Sequence, residues 1–408
     1  MRELSYPKNK INVLLLEKVD KIAFDLFKEE GYNVESLDGS LNEKDLIKKI
    51  KDVSILGIRS KTIISEKVIK SANKLLAIGA FCIGTNQIKF ESCNDSGIVV
   101  FNAPYSNTRS VVEIVIAQII NLMRKIVIKS NKMHSGVWRK DSLDSFEIRN
   151  KVIGIVGYGN IGSQLSVISE ALGMKVLYYD IVDKLSIGNA KKCKSLNDLL
   201  KNSDIVSLHV DGKKSNTNLI SDKEFSIMKE KSILVNYSRG NVVDIDSLIK
   251  NIKSKKLMGA ALDVFPEEPS NNKEKFKSKV KGIEEIILSP HIGGSTKEAQ
   301  KNIGSYVPDK IIDFINSGNT SSSVNFPKLS LPEQSDSHRL IHIHKNQPGV
   351  MLKINKIISE YNINIKGQYL KTNEEIGYVI TDIDSVYNKE VVKSLKNIPA
   401  TLKLRVLY

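Results

Sequence analysis

A glycine-rich turn at residues 157–162, Gly-Tyr-Gly-Asn-Ile-Gly, limits the possible folds of this chain more than any other feature. It follows the apolar run Val152–Val156, which predicts a buried strand, and it opens a predicted helix over Ile161–Leu172. A second predicted strand, Lys175–Tyr179, comes next. A strand, glycine turn, helix and strand in this order predict a βαβ unit of a parallel α/β sheet.

Three glycines and one aspartate in this unit have the spacing of a dinucleotide site. Gly157 permits the tight turn, Gly159 lets the backbone approach a pyrophosphate, and Gly162 lets the helix pack on the strand. Asp180 comes 18 residues after the last glycine, where its carboxylate can accept hydrogen bonds from the adenosine ribose. Its charge would repel a 2′-phosphate, so we expect NAD rather than NADP. The alternative is a turn that serves packing alone.

Strand-like and helix-like segments alternate along most of the chain, which predicts parallel sheets with helices on both faces. Thr108–Lys132 is predicted as one long helix, and 295–315 as another. Gly318–Ser337, rich in serine, asparagine and proline, is predicted as a linker. After it, the order strand, helix, strand, strand, helix, strand predicts a ferredoxin-like βαββαβ domain.

The net charge of +15 invites a search for a nucleic-acid partner. Lysine and arginine together number 61, but only nine are arginine, and the lysines are scattered in pairs such as Lys48-Lys49 and Lys255-Lys256. Neither a long basic block nor a pattern of alternating basic and aromatic residues is present. We therefore interpret the lysines as solvated surface residues and expect no nucleic-acid partner.

No segment of the sequence indicates a membrane or a metal. The longest apolar stretch, Val111–Met123, contains Glu113 and Gln118 and is shorter than a membrane span. The three cysteines form no Cys-x-x-Cys pair, which suits a reducing compartment and argues against a cysteine-based metal site. We expect a cytoplasmic protein with no membrane partner and no metal.

Three polar residues each come after the end of a predicted strand downstream of the glycine turn: Arg239, Glu268 and His291. Ligands bind beyond the carboxyl ends of the strands of an open parallel sheet, so we expect these side chains to meet beside the nicotinamide. This set suits oxidation of a secondary alcohol next to a carboxylate. His291 can take the hydroxyl proton, Glu268 can fix its tautomer, and Arg239 can bind the carboxylate. Taken singly, each residue has a structural explanation instead.

The order of motifs along the whole chain resembles the D-2-hydroxyacid dehydrogenases, most closely the short bacterial members with a C-terminal ACT regulatory domain. The resemblance rests on Arg59–Thr62, Ala80–Asn86, Phe101–Ser110, Val156–Gly162, Asn236–Gly240, Asp263–Pro269 and Ser289–Ser295. It implies NAD-dependent oxidation of 3-phospho-D-glycerate to 3-phosphohydroxypyruvate, the first step of L-serine biosynthesis. Two alternatives stay open: a related dehydrogenase of another 2-hydroxy acid, including one that reduces 2-oxoglutarate, and a non-catalytic NAD-sensing protein.

The resemblance also implies roles for individual residues. It makes Arg239, Glu268 and His291 catalytic. It places Arg59, Ser60, Lys61 and Asn107 near the substrate; an Arg–Ser pair suits a phosphate on physical grounds too. The implied cofactor contacts are Gly157, Gly159, Asn160, Ile161, Gly162, Asp180, Tyr237, Ser238, Arg239, Asp263, His291, Ile292, Gly293 and Gly294.

Three domains follow from the resemblance: a substrate domain of residues 1–106 and 295–317, an NAD domain of 107–294 inserted in it, and an ACT domain of 338–408. In the last, His344, Asn346 and Asn364 match positions that bind L-serine across a subunit interface, and the family implies a homotetramer. Two departures are visible. Lys61 stands where an arginine is common, which loses the bidentate fork, and Glu333–His338 lacks the Gly-Gly hinge of close relatives.

Overall fold

The computed structural model describes residues 7–269, 273–331, 338–384 and 389–407. The chain forms two compact units, one of Met1–Ser106 with Gln300–Tyr408 and one of Asn107–Ala299. The stretch Glu333–Ser337, expected to replace a glycine hinge, lies outside the described residues. The three-domain division and its boundaries stay a prediction.

The N-terminal part of the first unit is a parallel sheet of five strands in the order β2-β1-β3-β4-β5, a flavodoxin-like arrangement. The strands are β1 (Asn12–Leu15), β2 (Asn33–Ser36), β3 (Ile55–Ile58), β4 (Ala77–Ala80) and β5 (Val99–Asn102). The helices between them are α1 (Lys21–Glu29), α2 (Glu43–Lys49), α3 (Glu66–Lys70) and α4 (Phe90–Asp95). Both faces of this sheet are covered, because Val13 belongs to one buried core and its neighbour Leu14 to another.

The second unit contains a parallel sheet of seven strands in the order β12-β11-β10-β9-β6-β7-β8. The strands are β6 (Val152–Val156), β7 (Lys175–Tyr179), β8 (Lys191–Lys192), β9 (Ile205–Leu208), β10 (Ser232–Asn236), β11 (Leu257–Leu262) and β12 (Ile286–Leu288). The helices are α5 (Thr108–Arg124), α6 (Ile126–His134), α7 (Asn160–Ala171), α8 (Leu196–Asn202), α9 (Asp222–Ile227) and α10 (Ile245–Lys253). The strand order reverses between β6 and β9, the switch point where Rossmann folds bind dinucleotides.

The prediction of one helix over Thr108–Lys132 is wrong, since α5 ends before Lys125 and α6 begins after it. Lys125 has a left-handed φ of 53°, and its N–H donates to carbonyls of the last turn of α5. Its ammonium lies 3.1 Å from the carboxylate of Asp144, which also pairs with Lys231. Lysine favours helices, so the sequence pattern gave no sign of a break at this position.

The C-terminal part begins with a long helix and continues into an antiparallel sheet of four strands in the order β14-β15-β13-β16. Its elements are α11 (Lys297–Ser317), β13 (His338–Lys345), α12 (Val350–Glu360), β14 (Ile365–Thr372), β15 (Ile376–Ile383), α13 (Lys389–Lys396) and β16 (Thr401–Leu407). This is the predicted ferredoxin-like βαββαβ arrangement. The predicted fold class, two parallel α/β sheets followed by this small domain, is confirmed. Among the described helices, none combines the length and apolarity needed to cross a membrane.

Residues 318–331, expected as part of a linker, are packed within the first unit. The Asn325 amide oxygen accepts the N–H of Val100 at 2.8 Å, and the Thr320 hydroxyl donates to the carbonyl of Pro327 at 2.7 Å. Arg339 donates to the carbonyl of Ser317 at the end of α11. Within the first unit, the four-stranded sheet is therefore joined to the rest by buried polar contacts as well as by a shared apolar core.

Candidate active site

The glycine turn after β6 has no room for larger residues at two of its three glycines. Gly157 has a φ of +91°, and a Cβ there would lie 2.5 Å from the carbonyl oxygen of His209, which follows β9. A Cβ on Gly162 would lie 2.2 Å from the carbonyl oxygen of Gly157. No atom lies within 4 Å of a Cβ built on Gly159, so the N-terminus of α7 faces open space there. This is the cradle that a pyrophosphate requires.

Asp180 follows β7 and is tied to both neighbouring loops. One carboxylate oxygen accepts the N–H of Tyr158 at 2.7 Å, inside the glycine turn, and the other accepts the N–H of Val182 at 2.8 Å. The carboxylate is partly exposed, and each oxygen has a second lone pair for a ribose hydroxyl. The turn and Asp180 together fit NAD.

Arg239 is presented by a tight loop after β10. The side chain of Asn236 organises this loop: its oxygen accepts the N–H of Ser238, and its amide group donates to the carbonyl of Arg239 at 3.0 Å. The Arg239 stem packs on Gly212, where a Cβ would lie 3.1 Å from the arginine Cγ. Gly240 lies so close to the backbone of Phe265 that any side chain would overlap it. Arg239 is thus fixed next to the segment that leads to Glu268.

His291 and Glu268 form a hydrogen-bonded pair, with Nδ1 of the imidazole 2.7 Å from Oε2 of the carboxylate. The other carboxylate oxygen accepts the N–H of Phe265 at 3.1 Å. The hydrogen bond to Glu268 raises the pKa of His291 against the opposing effects of burial and the Arg239 charge. Burial raises the pKa of Glu268, but the His291 hydrogen bond and charge outweigh it and the pKa is lowered. The pair therefore favours a charged imidazolium next to a carboxylate.

Asp263 fixes the loop that carries His291. Its carboxylate is 1% exposed and accepts the Ser289 hydroxyl at 2.5 Å, the Ile292 N–H at 2.9 Å and the Gly293 N–H at 2.7 Å. His291 itself has a left-handed φ of 53°, and its N–H donates to the Asp263 carbonyl. Strain of this kind persists only where the surroundings impose it. Sequence reasoning gave Asp263 only as a cofactor contact and missed this structural task.

Among the remaining predicted residues of the second unit, Asn160 and Ile161 begin α7, and the others lie in or against the loops just described. The Tyr237 hydroxyl lies 3.0 Å from the Ser289 hydroxyl, and Ser238 is buried beside Asn236. The amide nitrogen of Asn107 lies so close to Gly294 that a Cβ on this glycine would be only 2.1 Å away from it. Within the described residues, the buried amide oxygen of Asn107 has no hydrogen-bond partner. A group left in this condition is suited to accept a hydrogen bond from a ligand.

In the first unit, Arg59, Ser60 and Lys61 directly follow β3. Ser60 and Lys61 are exposed and Arg59 is partly exposed. The backbone N–H groups of Arg59 and Lys61 donate to the carboxylate of Glu17, which sequence reasoning did not single out.

The three residues predicted to bind serine are not brought together within one chain. His344 pairs with Gly377 at one end of β15, and a Cβ on Gly377 would lie 2.1 Å from His344 Nε2. Asn364 precedes β14, whose first residue pairs with Ile383 at the other end of β15. Gly377 and Ile383 are six residue steps apart along β15, about 20 Å. Asn346, next to β13, donates to the carbonyl of Asn373.

His344 has a defined tautomer, which a chain of hydrogen bonds sets. The Thr401 hydroxyl donates to the carbonyl of Leu395 at 3.0 Å, so its oxygen accepts from Nε2 of His342 at 2.8 Å. Nδ1 of His342 then accepts from Nδ1 of His344 at 3.4 Å. Burial lowers the pKa of His342 to about 4 and also lowers that of His344, so both rings are neutral near pH 7. Nε2 of His344 therefore holds a lone pair.

Known proteins resemble this chain over its whole length. The family model described as D-isomer specific 2-hydroxyacid dehydrogenase, NAD binding domain, matches residues 116–293, and that of an AHAS small subunit-like ACT domain matches 340–403. The D-3-phosphoglycerate dehydrogenase of Dictyostelium discoideum is 49% identical over 99% of both chains. The Escherichia coli K12 enzyme of the same name is 47% identical over 100% of both chains.

The chain belongs to the D-3-phosphoglycerate dehydrogenases. It is an NAD-dependent oxidoreductase with an ACT domain. Among solved structures, a D-lactate dehydrogenase with NAD+ from Lactobacillus jensenii is 28% identical, with a TM-score of 0.64 over 75% of this chain and 96% of that one. The NAD domain matched by the family model contains the glycine turn, Asp180 and the His291–Glu268 pair described above.

Proposed function

We propose that Arg239, Glu268 and His291 catalyse oxidation of 3-phospho-D-glycerate to 3-phosphohydroxypyruvate, the first step of L-serine biosynthesis. The observation that supports these roles best is the His291–Glu268 pair beside Arg239, in the unit that contains the dinucleotide turn. Identity of 49% to a phosphoglycerate dehydrogenase over nearly the whole chain supports the choice of substrate. NAD, when bound, supplies the hydride acceptor.

His291 acts as the base that removes the hydroxyl proton. Because Glu268 accepts a hydrogen bond from Nδ1, that nitrogen carries a proton and the base is Nε2. After proton transfer the imidazolium stays paired with the carboxylate, which lowers the free energy of the charged state. Asp263 keeps the loop of His291 in the position that this transfer needs.

Arg239 binds the carboxylate next to the reacting carbon and polarises the oxygen that becomes the carbonyl. Arg59, Ser60 and Lys61 bind the phosphate end, and Asn107 contributes its unpartnered amide oxygen to the substrate. The residues of the glycine turn, Asp180, Tyr237, Ser238, Asp263 and Ile292 to Gly294 contact NAD. We also propose that the protein is cytoplasmic.

Glu268→Gln should shift the pH profile of both reaction directions towards lower pH. The raised pKa of His291 depends first on the hydrogen bond to Glu268, so a neutral amide lets that pKa fall. Oxidation needs the neutral imidazole and rises with pH through this pKa, whereas reduction needs the imidazolium and falls through it. The measurement is kcat/KM against pH in both directions, with Glu267→Gln as control. If the pH profiles of kcat/KM did not shift in this variant, Glu268 would not be the cause of the raised pKa of His291.

Arg59→Ala should damage turnover of the phosphorylated substrate far more than that of an unphosphorylated 2-oxo acid. Loss of a charge-assisted contact to phosphate should lower kcat/KM by about 100-fold. The measurement compares reduction of 3-phosphohydroxypyruvate and pyruvate. Lys61→Arg changes the same segment in the opposite direction: it restores the guanidinium fork and should lower KM for the phosphorylated substrate modestly. Equal losses on both substrates would favour a dehydrogenase of an unphosphorylated acid.

We also propose feedback regulation by L-serine and assembly as a homotetramer. The distance between His344 and Asn364 along the sheet supports a serine site built from two copies of the chain. The unprotonated Nε2 of His344 can accept a hydrogen bond from a donor group on the amino acid, such as its ammonium or hydroxyl.

Gly377→Ala should lower the affinity for L-serine by at least about tenfold. The added Cβ would lie 2.1 Å from His344 Nε2, so the imidazole must leave its place. Isothermal titration of the variant and of Gly39→Ala, whose methyl meets open space, gives the comparison. Wild-type protein that shows no heat with millimolar serine would contradict serine regulation itself.

A further inference from the structure

Glu17 is a buried carboxylate whose side-chain hydrogen bonds, within the described residues, all come from backbone N–H groups of the segment 59–62. It follows β1, is 7% exposed, and has a left-handed φ of 64°. Its two oxygens accept the N–H groups of Arg59 at 3.2 Å, Lys61 at 3.0 Å and Thr62 at 2.8 Å. Three backbone donors compensate the cost of burying the charge.

The same segment is held from its other side by Gln87. The side-chain amide nitrogen of Gln87 donates to the carbonyl of Arg59 at 2.6 Å, and the backbone carbonyl of Gln87 accepts the N–H of Ile64 at 2.8 Å. The N–H of Arg59 is therefore bound by Glu17, and its backbone carbonyl is bound by Gln87.

This arrangement determines where the side chains of the segment lie. The N–H groups of Arg59 and Lys61 are directed at the buried carboxylate, whereas the Ser60 and Lys61 side chains are exposed. The negative charge of Glu17 would by itself repel an anion. Its contribution to anion binding is therefore conformational: it keeps a segment with two cationic side chains in one backbone geometry before the ligand arrives.

We propose that Glu17 is a positioning residue for the phosphate end of the substrate, acting through the Arg59–Lys61 segment. This proposal rests on the proposed function, in which that segment binds phosphate. Glu17 contacts no reacting atom in this scheme, so its loss should raise KM for phosphorylated substrate and leave kcat within a few fold. Substrate without a phosphate should be affected little.

Glu17→Gln keeps the shape of the side chain but replaces one acceptor by a donor that faces an N–H group. We expect the ratio of kcat/KM for 3-phosphohydroxypyruvate to that for hydroxypyruvate to fall about tenfold, through KM. Amide hydrogen exchange over residues 59–62 should become faster. Gln87→Leu removes the hydrogen bond to the Arg59 carbonyl together with longer contacts to Gly84 and Cys82. It should give a smaller change in the same direction even if Glu17→Gln folds poorly.

Glu35→Gln is the matched control, because Glu35 is an exposed carboxylate of the same sheet that pairs with Lys49. It should alter neither the ratio nor the exchange. An unchanged ratio in both Glu17→Gln and Gln87→Leu, with active wild-type enzyme, would overturn the proposal. Wild-type protein that fails to turn over 3-phosphohydroxypyruvate would instead overturn the proposed function, which the ratio experiment presupposes.

Discussion

His291→Asn should lower kcat for oxidation by about 1000-fold, the range typical for loss of a general base. Asparagine can still accept a hydrogen bond but cannot hold the transferred proton at the pH of the assay. The loop should keep its shape, because Asp263 binds the backbone N–H groups of residues 292 and 293 and not the imidazole. NAD binding should therefore change little.

The measurement is steady-state kcat at several pH values, with His134→Asn as control, since His134 is an exposed histidine of α6. Wild-type activity in the oxidation direction should rise with pH near the raised pKa of His291, and the variant should lose this rise. A loss of kcat of less than about tenfold, or a variant whose kcat still rises with pH in this range, would assign the base to another group.

Arg239→Met should lower kcat/KM for 3-phospho-D-glycerate by about 100-fold or more, since a bidentate contact to a carboxylate is worth ~3 kcal/mol. Methionine preserves the packing of the side-chain stem on Gly212 and removes only the guanidinium. The same variant should shift the pKa of His291 upwards, because the Arg239 charge lowers it in the wild type.

Arg239→Lys is the informative companion, since it retains a charge but loses the planar fork. Its kcat/KM should lie between those of wild type and Arg239→Met. Equal activity of lysine and arginine would show that charge alone suffices, and unimpaired Arg239→Met would exclude this residue from substrate binding.

The sequence predicts the parts of this molecule that depend on local pattern and on the rule for parallel sheets. Arg239 and His291 each follow the end of a strand, and the structure brings them to the same edge of the sheet because their strands, β10 and β12, lie on either side of β11. The glycine turn could also be predicted from the sequence, since only glycine fits the close approach of Gly157 to His209.

The features that could not be predicted depend on contacts between distant residues. The left-handed Lys125 pairs with Asp144, 19 positions away, and the contact between Asp263 and the His291 loop spans almost thirty positions with no periodic signal. Glu17 lies far from Arg59 in sequence and looks like any polar residue at a strand end. Such contacts are consequences of the tertiary fold, so single-residue patterns carry no trace of them.

The most direct test of the central claim is NADH absorbance after mixing purified protein with NAD and 3-phospho-D-glycerate. It should be run at alkaline pH or with removal of the product, because alcohol oxidation by NAD is unfavourable at neutral pH. We expect turnover with this substrate that D-lactate does not match. Absence of NADH formation, with NAD binding intact, would contradict the account and indicate a non-catalytic NAD-binding protein.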